Sequence, residues 1–509
     1  MSKSLSLCAE AVPGPCSIII FGASGDLSSR KLFPALFKLY ERDLMPEKFI
    51  IIGCARSVMS CDEFRAKTRE SLELSGISVP KKFSELFLSN VRYVSGDYAS
   101  AGTYSKLESE IADFEKSCES AGRLFYFSTP PAVFGEILKM LESKKLMEED
   151  YDGIPWRRVV IEKPFGRDLA SAKELERLLS GFIRERQIYR IDHYLGKETV
   201  QNILMLRFAN SVFEPLWNNR YIESVQISVA ESIGVEHRAG YFEKTGLLRD
   251  MFQNHILQLL ALIAMEPPSS FDSDRIRDEK AKLLNSLRPY PSNPDELSKL
   301  IIRGQYSAGS LNGKDLKSYR EEEGVSAKSV TETYVAGKFH IDNWRWNGVH
   351  FYLRSGKRLA RRMSEVAIKF KKIPHSIFGY FDAESISRNE LILTIQPDEG
   401  FSMKINAKKP GSKFCMGGVE MDFKYSDLGA PVAEAYERLL LDSMLGDSTL
   451  FIRRDSIELS WAFLDTVLNN WGDERNIGTN PLFMYAAGSE GPEESKIIFG
   501  EDTTCWRDL

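Results

Sequence analysis

The sequence predicts an α/β unit followed by an α+β unit: a doubly wound parallel sheet over residues 1–195, then a large, mainly antiparallel sheet with flanking helices over 196–509. Three observations carry this reading. Short apolar, β-branched runs in the first third end in glycine or proline turns, as buried parallel strands do. The first of them leads into a segment with helical spacing, which is the strand–turn–helix order of a crossover unit. Beyond about residue 220 apolar and polar residues alternate in several runs, the pattern of half-buried antiparallel strands. A chain of 509 residues is long enough for about two or three domains.

Composition narrows the class. A net charge of −5 gives no electrostatic reason to expect a nucleic-acid partner. The longest apolar run, Ile256 to Met265, contains Gln258 and is too short to span a bilayer, so no membrane partner is expected. Cysteines at 8, 16, 54, 61, 118, 415 and 505 are odd in number and dispersed, which points to free thiols in a reducing compartment. No CxxC pair exists and the histidines are isolated, so no metal is expected. The first fifteen residues do not read as a secretory signal, and the expected location is cytoplasmic.

Ser17 to Phe21 is the first strand candidate, and it leads into Gly22-Ala23-Ser24-Gly25-Asp26-Leu27. Leu32, Leu36, Leu39 and Tyr40 then fall at helical spacing. That order sets backbone N–H groups and a helix N-terminus against a pyrophosphate, as in a Rossmann-like dinucleotide site. Only two glycines of the usual three-glycine fingerprint can be matched, and Leu27 sits near the third position. Pro34 costs a helical hydrogen bond unless the regular helix begins near it. The second strand, Phe49 to Gly53, is followed by Cys54-Ala55-Arg56, with no acid for a ribose 2′-hydroxyl. Arg56 can pair with a 2′-phosphate, so the expected cofactor is NADP. Leu124 to Ser128 and Arg158 to Ile161 are further strands, the latter ending at Glu162-Lys163-Pro164-Phe165-Gly166. Ligands sit beyond the carboxyl ends of such strands, which is where Lys163 lies.

In the second half, Val225, Ile227 and Val229 alternate with Gln226, Ser228 and Ala230, and similar runs begin at Val349, Val366 and Leu391. One face of this sheet is expected to be covered. Glu231 has the parity of the apolar residues before it, which is costly unless the strand has ended or the carboxylate has a partner. Gly246 to Met265 reads as one helix, with Leu248, Phe252, His255, Leu259 and Leu262 on one face at steps of three and four. The stretch from Pro267 to Asn293 reads as a surface excursion.

The most informative segment is Arg190-Ile191-Asp192-His193-Tyr194-Leu195-Gly196-Lys197-Glu198. His193, Tyr194 and Lys197 can bind an anion, and Asp192 can orient a histidine; a solvated loop before a helix is the competing account. His255 lies in an apolar stripe, where a satisfied core histidine is the ordinary explanation, but Arg249, Asp250 and Asn254 crowd it. An imidazole is the usual general base at neutral pH.

Taken together, GASGDL, EKPFG, RIDHYLGKE, GYFEKTGLLRD with the following Asn254-His255, and LRSGK (Leu353–Lys357) resemble glucose-6-phosphate dehydrogenase, in order and from about residue 17 to 465. The resemblance implies roles residue by residue. His255 would be the base that takes the anomeric hydroxyl proton, with Asp192 holding its other ring nitrogen. His193, Tyr194 and Lys197 would bind the substrate phosphate. Glu231, Asp250 and Lys357 would bind sugar hydroxyls, with Arg362 a further substrate-side cation. Lys163 would lie between substrate and cofactor, and Gly22, Ser24, Gly25, Asp26, Leu27 and Arg56 would hold NADP. The implied reaction converts D-glucose 6-phosphate and NADP to 6-phosphoglucono-lactone and NADPH in a homodimer or homotetramer.

Two departures stand out. Phe134 occupies a position where the family often has a tyrosine on the nicotinamide side. Some animal members hold a second, structural NADP with a basic cluster; here Ala230, Met363, Thr394 and Ser402 replace the expected residues and only Lys404 remains, so that site is expected to be absent or very weak. Two alternatives stay open on sequence alone: an NADP-dependent dehydrogenase of another hexose phosphate, and a non-catalytic NADP-binding sensor.

Overall fold

The computed structural model describes residues 11–77, 81–150, 153–378, 383–411, 415–429, 433–476, 478–500 and 505–509; Cys8 lies outside them. Six strands form the first sheet: β1 (Cys16–Phe21), β2 (Phe49–Ala55), β3 (Val91–Ser95), β4 (Gly122–Phe127), β5 (Arg157–Ile161) and β6 (Ile188–Arg190). They pair in parallel in the order β3-β2-β1-β4-β5-β6. Helices cover both faces, which explains why β1 and β2 are buried at every position. The order reverses between β1 and β4, and that switch point opens a crevice at the carboxyl edge. Pro34 lies in the first turn of the helix Phe33–Glu41, after a wide turn at Ser28–Leu32, where a missing N–H costs little.

The second sheet contains β7 (Ile222–Ala230), β8 (Ile301–Ser307), β11 (Tyr334–Phe339), β12 (His350–Gly356), β13 (Met363–Phe370), β14 (Glu390–Gln396), β15 (Gly400–Lys408), β16 (Met416–Lys424) and β17 (Leu482–Ala486). A small ribbon, β9 (Gly309–Leu311) with β10 (Lys314–Leu316), stands apart from it. The order is β16-β15-β14-β13-β7-β12-β11-β8-β17. Most pairs are antiparallel, but β7 with β12 and β8 with β17 run parallel, so the sheet is mixed.

The structure corrects three readings of local structure. The central strands are covered on both faces, because Tyr352 and Arg354 are buried beneath the C-terminal segment as well as Phe351 and Leu353 above. Arg354 donates to Ser228 Oγ at 2.9 Å and lies over the Trp506 ring, so its cation is retained in the interior by partners. The stretch from Pro267 to Asn293 is no mere excursion: it holds the helix Ser273–Asn285, which buries Ile276, Leu283 and Leu284. The segment read as one helix from Gly246 is broken into a kinked end at Ala239–Leu247, a wide π-helical stretch at Leu248–Ile256 and an α-helix at Leu257–Ala264.

The chain finally returns to the first unit. Arg158 donates to the carbonyls of Ser443 and Met444, and Trp461 Nε1 donates to Phe165 O at 2.9 Å. Arg190, wholly buried, is held by Glu176 and Glu185 and ties β6 to Ile452. These contacts fix the two sheets about one cleft. No helix among the described residues is long and apolar enough to cross a membrane.

Candidate active site

At the switch point the chain leaves β1 through Gly22, whose φ is +81°. A Cβ there would lie 2.2 Å from the carbonyl oxygen of Ser128 just past β4, so glycine is required for the two strand ends to meet. Ser24 and Ser57 hydroxyls lie 3.1 Å apart, joining the turn after β1 to the turn after β2. Lys67 donates to Ser24 O at 2.8 Å and Tyr93 to Ser57 O at 2.6 Å, fixing both turns from below. Asp26 is exposed beside Arg30, and Arg56 projects from the end of β2 into solvent. The amides of a first helical turn, two hydroxyls and a solvent-facing guanidinium suit a dinucleotide carrying a 2′-phosphate. Phe134 does not reach this edge; its ring is fully buried against Phe127.

Between the two sheets lies a cleft of about 700 Å³, lined by Lys163, His193, Tyr194, Lys197, Glu231, Asp250, His255 and Arg362, with Lys31, Arg238, Gln396, Glu399, Glu434 and Tyr436 among the other residues of its wall. Eight of the residues expected from sequence therefore meet in one place. Asp192 stands behind His255, and Lys357 is buried beside Glu231. Gly22 to Leu27 and Arg56 are not part of this cleft; they follow the carboxyl ends of β1 and β2.

His255 Nδ1 lies 2.5 Å from Asp192 Oδ1, and both side chains are almost wholly buried. Its Nε2 lies 3.1 Å from Lys163 Nζ. An ammonium can only donate, so Nε2 is the acceptor and Nδ1 carries the proton donated to Asp192. Burial, followed by the Lys163 charge and only partly offset by Asp192, holds the imidazole below its ordinary 6.5. Burial would raise Asp192, yet the pull of His255 and its hydrogen bond, together with the Tyr194 amide, keep it well below the usual carboxylate range. The resting site is thus a neutral imidazole backed by a carboxylate, with a lone pair facing the cleft. Tyr194 stacks on the imidazole at 4.3 Å and fixes its plane.

Lys163 spends its donors on Asp250 Oδ1 (2.9 Å), Asp250 O (3.2 Å) and His255 Nε2. Burial disfavours its charge, but the Asp250 carboxylate outweighs this and keeps it an ammonium. One lysine can touch both Asp250 and His255 because the intervening helix is wide. In an α-helix, residues five apart are turned about 140° from each other. The i→i+5 geometry of a π turn sets them on one face.

The far end of the cleft is cationic. Lys197 Nζ donates to Gln396 Oε1 at 2.7 Å, and Arg362 donates to the same oxygen at 3.2 Å. Gln396 Nε2 in turn donates to Ser364 Oγ at 2.9 Å, which fixes the amide so that its oxygen faces the cations. Lys197 lies over the Tyr194 ring and opens the helix Glu198–Phe208, whose first amides favour an anion too. Burial, then Arg362, pushes the Lys197 ammonium down to about 8. Between the cations and His255, Glu231 accepts from Lys357 at 2.5 Å, immediately after β7 ends at Ala230. The awkward parity of Glu231 is resolved in this way: the strand has ended and the carboxylate has its cation.

Lys31, Arg238, Gln396 and Tyr436 escape sequence reasoning. Gln396 sits at the end of β14 with the parity of no functional motif, and Tyr436 comes from a helix more than 180 residues beyond His255. Potential ligand atoms of Asp192, His193 and His255 lie within 4.8 Å of one another. The 2.5 Å approach of His255 to Asp192 is a hydrogen bond, too short to admit an ion between them.

Comparison with known proteins agrees with this geometry. Residues 19–202 match the family description "Glucose-6-phosphate dehydrogenase, NAD binding domain", and 204–507 match its C-terminal domain. The glucose-6-phosphate 1-dehydrogenase of Aggregatibacter actinomycetemcomitans is 45% identical, the match covering 97% of each chain. That of Bacillus subtilis is 41% identical over 96% of this chain and 97% of its own. A solved glucose-6-phosphate dehydrogenase in complex with its substrate glucose-6-phosphate superposes with a TM-score of 0.88 at 37% identity, covering 98% of this chain and 100% of the other. The enzyme from Mycobacterium avium gives 0.81 at 32%, covering 97% and 99%. With both sheets, their cleft and nearly every stretch of sequence shared with these proteins, the chain belongs to the glucose-6-phosphate dehydrogenase family.

Proposed function

We propose that the cleft oxidises D-glucose 6-phosphate at C1 to 6-phospho-D-glucono-1,5-lactone, reducing NADP to NADPH. The observation that carries this is the placement of one neutral, carboxylate-backed imidazole at one end of a polar cleft and a pair of cations at the other. The phosphate sits between Lys197 and Arg362, with His193 and Tyr194 beside it. Glu231, Asp250 and Lys357 take the ring hydroxyls. The C1 hydroxyl displaces Lys163 from His255 Nε2 and gives its proton to that nitrogen. Asp192 then stabilises the imidazolium. Gly22 to Leu27 and Arg56 would hold NADP, which would supply the acceptor for the C1 hydride. Both electrons of the C–H bond leave with the hydride and the carbonyl forms as the O–H bond breaks.

Residues 1–195 form the cofactor unit and 196–509 the substrate unit in this reading, and the assembly is a homodimer or homotetramer in the cytoplasm. The test is a steady-state assay of NADP reduction with glucose 6-phosphate, galactose 6-phosphate, glucosamine 6-phosphate and free glucose. The highest kcat/KM is expected for glucose 6-phosphate, and a larger value for another hexose phosphate overturns the substrate assignment. Arg56→Ala is expected to lower the preference for NADP over NAD by about tenfold or more, because a charge-assisted contact to the 2′-phosphate is lost. Unchanged cofactor selectivity refutes the role of Arg56.

The pH dependence has a defined sign. His255 works neutral and is held below 6.5, so no loss of kcat is expected between pH 6.5 and 8 from this group. Lys197 works charged and is held at about 8, so kcat/KM should fall as pH rises through that value in the free enzyme. A bound phosphate favours the ammonium, and Lys197 serves binding, so kcat at saturation should show no fall near that value from this group. Coincident alkaline limbs in kcat and kcat/KM, measured over pH 6.5–10, contradict this assignment.

A further inference from the structure

Gly246 interrupts the helical run before the catalytic histidine with φ 66° and ψ 174°. The break exposes the first amides of the wide stretch Leu248–Ile256, which are satisfied from outside the helix. Glu332 Oε1 accepts from Leu248 N at 3.1 Å, and Glu332 O accepts from Leu247 N at 3.1 Å. A Cβ on Gly246 would lie 2.3 Å from Glu332 Oε1, so the glycine and the carboxylate form one fitted joint. Glu332 is only 7% exposed and lines no part of the cleft, and Arg249 and Arg303 act on it without forming an ion pair among the described residues. A buried carboxylate of this kind is costly unless it is used.

The segment carrying Glu332 is pinned at its other side. Thr333 N donates to Gly304 O at 2.8 Å, and Thr333 O accepts from Lys357 N at 2.9 Å. The Tyr485 hydroxyl lies 2.7 Å from Lys357 O and 3.1 Å from Thr333 O, so its single proton is shared between these two carbonyls. The same short segment therefore fixes Lys357 at the end of β12 and caps the wide helix that presents Asp250 and His255.

Resting on the reaction proposed above, we propose that Glu332 is a positioning residue: by capping Leu248 it sets the register of the π-helical stretch, so that Asp250 and His255 share one face and both reach Lys163. What matters is an acceptor at that distance, and the negative charge is incidental. Loss of the cap lets the stretch tighten toward α-helical geometry, which turns Asp250 away from His255.

The test compares two conservative variants of the full chain. Glu332→Gln keeps the acceptor at its distance without the charge, and is expected to stay within threefold of the parent in kcat. Glu332→Asp keeps the charge but shortens the reach by one methylene, and is expected to lose about tenfold to a hundredfold in kcat, the scale of a misplacement near 1 Å. Equilibrium binding of glucose 6-phosphate should weaken far less than kcat in the Asp variant, since Lys197 and Arg362 lie on other elements and only the Asp250 contact to a ring hydroxyl is disturbed, and should stay within threefold of the parent in the Gln variant. If Gln is as impaired as Asp, or if Asp loses kcat and binding in equal proportion, the positioning role is overturned. If Asp retains full kcat, it is overturned as well. Failure of the parent enzyme itself to reduce NADP with glucose 6-phosphate would instead reject the proposed function.

Discussion

Replacing His255 with Asn is expected to lower kcat by about 10²–10⁴-fold, the usual contribution of a positioned general base. Asparagine is close in size and can still donate from the region of Nδ1 to Asp192, so the buried carboxylate keeps a partner and the fold is preserved. What disappears is the lone pair at Nε2 facing the cleft. Lys163 retains Asp250 and remains an ammonium, which cannot accept a proton. His193 is too poor a substitute, because burial, which the substitution does not relieve, depresses its basicity below that of ordinary histidine. Binding of glucose 6-phosphate should be nearly unchanged, so the loss falls on kcat and leaves KM close to the parent value. Stopped-flow or steady-state NADPH formation together with a direct binding titration separates the two. A variant retaining more than a tenth of parental kcat removes His255 from the role of base.

The placement of residues at the carboxyl edge is legible in the sequence because it follows short-range rules. A continuous apolar run needs cover on both faces, and a glycine turn after it sets Gly22 where a Cβ would strike Ser128. Lys163 at the end of β5, and Asp192 to Lys197 shortly after β6, follow from the same logic. The sheet in the second half is less legible. Alternation indicates a strand, but the direction of pairing depends on which strand lies beside it, so the parallel pairing of β7 with β12 is hidden. The burial of Tyr352 and Arg354 depends on Trp506 and Arg507 lying across them from more than 150 residues away.

The wide helix is the more instructive miss. Leu248, Phe252, His255, Leu259 and Leu262 satisfy a spacing of three and four, and all five are buried, so the apolar stripe is real. Yet Asp250 and His255, which both contact Lys163, are five apart, a spacing that an α-helix would send in different directions. The signal was Gly246 four residues before Asp250, since a glycine held at positive φ inside a helical run marks an enforced break. Its capping partner Glu332 is 86 positions away in sequence, and no local rule could pair them.

Replacing Lys197 with Ala should weaken glucose 6-phosphate binding by about thirtyfold, corresponding to about 2 kcal/mol, the lower range for truncating one partner of a charge-assisted contact. The lower range applies because Arg362 remains on the same Gln396 oxygen and His193 still lines the pocket. In the free enzyme that amide oxygen occupies the place between the two cations where a phosphate oxygen would sit, and it holds them close without neutralising them. A carboxylate there would cancel one charge before the substrate arrived. Lys197 is also short of solvent, which is why its ammonium is depressed to about 8 and gains most when a dianion replaces the neutral amide. The effect should therefore fall on KM and on kcat/KM, with kcat at saturation changing less than threefold, because His255, Asp192 and Lys163 stand at the other end of the cleft. Affinity for free glucose, expected to be poor in the parent, should be unaffected by the substitution. A Lys197→Ala enzyme with parental KM, or one that loses kcat and free-glucose affinity together, would place the phosphate elsewhere and leave the cationic end of the cleft without its assigned ligand.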